Sequence, residues 1–166
     1  NMYFLFMAMA VKMLRTNGEF VFITPRSWTS GTYFKSFRSY FMDSMDIQRV
    51  HLFESRNSVF KGKEGHSDDI LQDIMITYGK KSKSQSRNII IAISQNAQDL
   101  GKVKEIQVES GNCLPEGKEH YFVLPSDEED LKVLNYMKKM PNTVEEAGFR
   151  FKTGQVVEFR NKEYIA

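Results

Sequence analysis

The residues able to do chemistry by themselves are few and scattered. The three histidines, His51, His66 and His120, stand far apart, and none has the short spacing to a second ligand that a metal-binding helix requires. Cys113 is the only cysteine, which excludes an intramolecular disulfide and a cysteine-based zinc cage and agrees with a cytoplasmic setting. No metal site is expected. Nuclease chemistry needs acidic residues and a lysine gathered at a strand pair, and Asp68, Asp69 and Glu105 do not make that pattern. What does cluster is positive charge, in one group of Lys80, Lys81, Lys83 and Arg87 and another of Arg26, Lys35 and Arg38. Net charge is only +2, from 23 basic and 21 acidic residues, so contact with a polyanion would have to come from such local groups. A solvated face is the simpler account of either cluster.

The elements that must position these residues alternate. Residues 2–14 are apolar at every position except Lys12, and Met, Leu and Ala favour a helix over Tyr3 to Arg15. The segment falls short of the roughly 20 residues that span a bilayer and has no basic leader, so no membrane role is expected. A helix apolar all round is normally packed on several sides. Its partners are therefore expected in a larger protein from which this sequence is cut. Asn17-Gly18 suits a left-handed helix stop. Glu19 to Thr24 reads as a strand buried on both faces, ended by Pro25. Thr32 to Met45 places aromatics at 33, 34, 37, 40 and 41, a helical period with Lys35 and Arg38 outside the stripe.

Ile47 to Phe53 reads as a second strand, residues 54–69 as a loop, and Ile70 to Tyr78 as a third strand ended by Gly79. No helix separates the last two strands, so they are expected to pair antiparallel. Asn88 to Ser94 and Val103 to Glu109 read as a hairpin attached to that sheet. His120 to Leu124 reads as one more strand. Ser126 and Glu129 form a capping box for a helix with Leu131, Leu134 and Met137 on its buried side, Val133 and Met140 beside them. Thr143 starts a short second helix, and Phe149 to Phe159 a hairpin turned at Thr153-Gly154. The class is α/β, with a soft boundary near 113–120.

The order helix, glycine, strand ending Ile23-Thr24-Pro25-Arg26-Ser27, then Gly31 to Arg38, resembles the second half of the catalytic domain of adenine-N6 DNA methyltransferases. The likeness is to the branch found in bacterial restriction–modification enzymes that fuse modification with cleavage. It continues through Ile47 to Arg56, Val59-Phe60 and Ile70 to Asp73, and resumes at Phe122 to Ser126 and Thr153 to Arg160. Residues 81–119 match only in general layout. The resemblance implies the C-terminal half of a class I (Rossmann-like) S-adenosylmethionine-dependent methyltransferase sheet, followed by a small α+β segment. Residues 1–113 would belong to the catalytic domain, including the hairpin at 88–109, and 114–166 would open the DNA target-recognition region.

The family binds S-adenosylmethionine at a glycine turn after its first strand and holds the target adenine with an Asn-Pro-Pro-Tyr-like tetrapeptide. Neither is present here: Pro25, Pro115, Pro125 and Pro141 do not follow Asn or Asp and are not paired. No catalytic residue is therefore expected in this chain, and the chain alone is expected to be inactive. The resemblance places Phe60 where an aromatic stacks on the flipped base, a step that costs a few kcal/mol of lost stacking; a core phenylalanine is the alternative. Arg26, Ser27 and Lys35 are candidates for the DNA backbone, since most protein–DNA hydrogen bonds go there. Lys61 and Lys63, with Gly62 and Gly65, form a basic loop suited to closing over double-stranded DNA. Arg150, Lys152 and Arg160 are candidates for target recognition.

The expected partners are double-stranded DNA and the missing N-terminal half, and an exposed first helix is expected to drive self-association. A non-enzymatic DNA-binding module and a nuclease-associated subunit are the competing readings.

Overall fold

The computed structural model describes residues 2–54, 73–96, 99 and 103–150. Phe60, Lys61, Lys63, Lys152 and Arg160, most of the loop after Phe53, and the hairpin around Gly154 lie outside the described residues.

Among the described residues, α1 (Tyr3–Met13) leads into β1 (Glu19–Pro25), two short 3-10 turns at Arg26–Thr29 and Thr32–Phe34, and α2 (Lys35–Met42). Then follow β2 (Met45–Phe53), β3 (Ile74–Lys81), β4 (Asn88–Ser94), β5 (Lys104–Glu109), α3 (Ser110–Cys113) and α4 (Glu128–Met137). The five strands form one mixed sheet in the order β1-β3-β2-β4-β5. β3 runs antiparallel to both β1 and β2, β2 and β4 are parallel, and β4 and β5 form the expected antiparallel hairpin. β1, β2 and β4 consequently all point the same way.

Aromatic spacing builds the core. Phe20 and Phe22 on one pleat of β1 meet Phe41 of α2 at ring distances of 5.6 and 6.4 Å. Trp28 is fully buried, its ring against Phe37, Phe41 and Phe122 at 5.6–5.8 Å, and its Nε1 donates to Thr24 Oγ1 at 3.2 Å. Phe4 of α1 reaches Phe34 and Phe37 at 5.6 and 5.9 Å. Such edge-to-face pairs add to the free energy of burial itself.

Several expectations are corrected. β1 is not buried on both faces: Val21 and Ile23, on the pleat opposite Phe20 and Phe22, are exposed. Nor is α1 enclosed, since Met7 and Val11 are buried whereas Leu5, Phe6 and Met9 face outward. It also stops at Met13, short of Asn17, which nevertheless takes the left-handed backbone (φ 63°) and donates its N–H to Lys81 O at 2.9 Å. The helix read over Thr32 to Met45 is a 3-10 turn followed by α2, and Arg38 is fully buried rather than outside the stripe. β3 begins at Ile74 and runs through Gly79 into the basic tract, where Lys81 Nζ donates to Leu14 O at 2.6 Å and Lys80 pairs with Glu19 at 3.3 Å.

The segment 120–124 is not a strand; His120 N–H closes a turn on Gly117 O at 3.4 Å, and the chain beyond it makes two isolated backbone bonds, Phe122 N–H to Thr29 O at 2.9 Å and Val123 N–H to Cys113 O at 2.7 Å. α4 is capped by Asp127, whose Oδ1 accepts from Asp130 N, while Asp130 in turn accepts from Ser126 N and Oγ. Glu129 takes no part in those bonds, and none of the residues of α4 is buried. Thr143 and Glu146 cap one another, but around a turn rather than a helix.

The chain separates into two compact units, residues 1–134 and 135–166. Everything in the sheet belongs to the first. Cys113, Phe122 and Leu124 are part of that core. The described part of the second unit, 135–150, is exposed throughout.

One core position lacks a partner. Thr77, between Phe22 and Val50 in the ladder, is fully buried and its Oγ1 meets no hydrogen-bonding group among the described residues. A buried hydroxyl without a partner costs on the order of 1–3 kcal/mol. Thr77→Val, which keeps the β-branch, should therefore raise stability by about 1 kcal/mol, seen as a later urea midpoint with unchanged slope. An earlier midpoint would mean that the hydroxyl is satisfied.

Candidate functional site

In open α/β sheets ligands bind beyond the carboxyl ends of the strands. At that edge of β1 lies a cleft of about 790 Å³, lined by Pro25, Arg26, Ser27, Thr29, Ser30, Asp73 and the run Tyr121–Leu124. One lip is the 3-10 turn that follows Pro25, and the other is the extended segment carrying Tyr121 and Phe122. Local sequence accounts for both. Proline closes β1 and fixes φ before the turn, and Arg26 N–H still donates to Asp73 O at 2.7 Å, so the turn leaves the sheet beside the start of β3. Phe122 packs inward on Trp28 while Tyr121 stays half exposed.

Two of the expected backbone contacts, Arg26 and Ser27, do share this cleft. Arg26 is half-buried, and its charge is one of the influences that hold the Asp130 carboxyl below its ordinary range, the larger ones being hydrogen bonds from the Ser126 hydroxyl and amide. Ser27 Oγ lies 3.0 Å from the Tyr3 hydroxyl, tying the first turn of α1 to the lip. Burial raises the Tyr3 pKa, an effect the Ser27 contact opposes.

Lys35 does not line the cleft; its Nζ pairs with Glu119 Oε1 at 2.6 Å behind the Tyr121 lip, and that hydrogen bond pulls the Glu119 carboxyl down. Arg150 is exposed in the second unit. Thr29, Ser30, Asp73 and Tyr121 belong to the cleft without having been singled out. The apolar run from Phe122 had been, as a strand, and its register with Thr29 could not be read from one stretch of sequence.

Comparison with known proteins shows what the chain is similar to. Residues 1–60 match the model of the Eco57I restriction-modification methylase family. The type II methyltransferase M.PstI of Providencia stuartii is 30% identical over 167 aligned residues, which take in 100% of this chain and 32% of that protein. M.BsuBI of Bacillus subtilis, also a type II methyltransferase, is 31% identical over 99% of this chain and 32% of its own length. The first 60 residues are thus similar to the restriction–modification methylase family, and the whole chain to type II methyltransferases. The chain spans about a third of the length of these relatives. A crystal structure of the type IIG restriction endonuclease BpuSI is similar over 64% of this chain and 14% of its own, at 13% identity and a TM-score of 0.46. The cleft lip from Pro25 to Ser30 lies inside the segment that the family model covers.

Proposed function

We propose that this chain is the DNA-facing half of a site-specific adenine-N6 DNA methyltransferase, a Rossmann-like enzyme that transfers a methyl group from S-adenosylmethionine. The observation that carries the reading is the cleft at the carboxyl end of β1, with Arg26 and Ser27 on its lip, in a chain that aligns end to end with two methyltransferases. A cationic side chain and hydroxyls beside a half-exposed tyrosine suit a sugar–phosphate strand. Residues 114–166 open the target-recognition region, with Arg150 on its surface.

The residues present do not fit the cofactor. β1, β2 and β4, whose carboxyl ends share one edge, run on into Arg26, Glu54 and Gln95 rather than into a glycine turn. S-adenosylmethionine is accordingly held elsewhere in the parent protein, and no step through it is assigned to these side chains.

Full-length enzyme incubated with duplex DNA and labelled S-adenosylmethionine should yield N6-methyldeoxyadenosine on nucleoside mass spectrometry. A methylated cytosine would overturn the choice of base, and no transfer at all would overturn the reading. The 166-residue chain alone should transfer nothing, lacking the adenine-holding tetrapeptide. In the full-length enzyme Arg26→Ala should raise the KM for DNA several-fold and lower the salt slope of binding by about 1, as expected for one lost phosphate contact. An unchanged slope would remove Arg26 from the interface.

A further inference from the structure

Arg38 is an unusual residue to find at the centre of this core. It is fully buried, and among the described residues no carboxylate accepts from it: its Nε and Nη2 donate to Glu119 O at 3.1 and 2.8 Å, and its Nη1 to Trp28 O at 3.0 Å and Gly31 O at 2.7 Å. The Glu119 carboxylate turns instead to Lys35. Burial without a carboxylate contact lowers the Arg38 pKa, a pull that Tyr121 and Glu119 oppose. Taking a guanidinium out of water is costly, and an apolar side chain would fill the same space more cheaply. What the guanidinium adds is a rigid fork of directed donors, and here the fork spans three backbone carbonyls.

Those carbonyls stand on the two sides of the cleft. Trp28 and Gly31 flank Thr29 and Ser30 on one lip; Glu119 precedes Tyr121 and Phe122 on the other. The carbon of the guanidinium also lies 5.3 Å over the Tyr121 ring. Between Glu119 and Tyr121, His120 takes a left-handed backbone (φ 49°), which a residue with a side chain rarely adopts unless its surroundings impose it. The lips are joined directly as well, by Phe122 N–H to Thr29 O at 2.9 Å.

We infer that Arg38 is the positioning residue of the cleft, a buried bracket that fixes the Tyr121–Leu124 lip against the Trp28–Gly31 turn so that the DNA-binding geometry exists before DNA arrives. The inference rests on the cleft's being the DNA site, and its test separates the two ideas. Lysine keeps the charge but offers a point rather than a fork. In the full-length enzyme Arg38→Lys should raise the KM for duplex DNA by about 10-fold while kcat and S-adenosylmethionine affinity stay within about 2-fold, because misplacing a positioning group weakens catalysis without touching the chemistry. In the 166-residue chain the Phe122 amide should be protected from hydrogen exchange in the wild type and lose that protection in Arg38→Lys, with Val50 in β2 unaffected.

Should Arg38→Lys fail to fold, Tyr121→Leu replaces it, because Tyr121 is half exposed and its loss removes only the ring beneath the guanidinium; faster Phe122 exchange is again expected. An unprotected Phe122 amide in the wild type, or unchanged exchange and KM in a folded variant, overturns the inference. Wild-type enzyme that methylates no DNA overturns the proposed function instead, and the exchange result still decides for or against Arg38.

Discussion

Gly79→Ala should destabilise the protein by about 3 kcal/mol, near the upper end of what one added methyl costs in a packed interior. A Cβ at that position would stand 2.1 Å from Asp46 O and 2.9 Å from two atoms of the Phe20 ring. The Phe20 ring can turn aside, but the Asp46 backbone cannot. The β2–β3 register shifts between Ile47 and Arg49, which brings the chain at Asp46 over Gly79. The Asp46 carboxylate is then anchored by Ser86 N and Oγ, both at 2.7 Å, and by Gln48 Nε2 at 2.9 Å.

Those bonds hold the loop from Ser82 to Arg87, which must carry the chain past the start of β2 so that β4 can add on its far side. Ser82 N–H to Ser44 O, and Gln85 Nε2 to Met42 O and Met45 O, fasten the same crossing. Relief of the clash would therefore require moving β2, β3 and the crossing together. Gly111→Ala is the control: nothing lies within 4 Å of its added carbon, so urea unfolding followed at the single tryptophan, Trp28, should show little change. Equal midpoints for Gly79→Ala and the wild type would disprove the close approach.

The chain purified alone should run as a dimer or larger species, and Val21→Lys with Ile23→Lys should return it to a monomer. Val21 and Ile23 are 62% and 57% exposed on β1, and Leu5, Phe6 and Met9 of α1 are 47%, 63% and 56% exposed. Among the described strands β1 lies at the sheet edge, with β3 as its one neighbour, so unpaired backbone groups accompany this apolar surface. Edges of that kind recruit further strands, and lysine is the residue proteins use to prevent it. The relatives are about three times as long, and in the full-length enzyme proposed above the additional sequence would cover this surface. There the double lysine variant should remain soluble but lose methyl transfer, because it blocks that cover. Light scattering reads the first outcome and methyl incorporation the second. A strictly monomeric wild-type chain at high concentration would show that the surface is satisfied without a second copy.

What could be read in the sequence was what depends on near neighbours. The β-branched and aromatic runs gave β1, β2 and the β4–β5 hairpin, and the lack of a helical pattern in the sequence between Phe53 and Ile70 pointed to the reversed direction of β3. Order and spacing of short segments pointed to the methylase family and to Arg26 and Ser27, which line the cleft. What could not be read depends on distant partners. Arg38 looks like a surface residue because its acceptor at Glu119 lies 81 positions away. Gly79 looks like a turn because glycine serves equally for a turn and for a close approach of two backbones. The second lip of the cleft looks like a strand because an extended apolar run is the same whether it joins a ladder or lies on a tryptophan. Val21 and Ile23 look like core because composition does not say which pleat has a cover.

The pairing of β1 also fixes an order of events in time. Glu19 finds its ladder partner at Lys80, 61 residues later, and no other described strand bonds to β1. On a ribosome adding roughly 5–20 residues per second, β1 and the apolar helix ahead of it wait several seconds for β3 to emerge. The β4–β5 hairpin, with its short reach, needs no such wait. For this protein a hazardous interval of synthesis therefore lies between β1 and β3, and chaperone demand should rise when translation slows between Phe53 and Ile74.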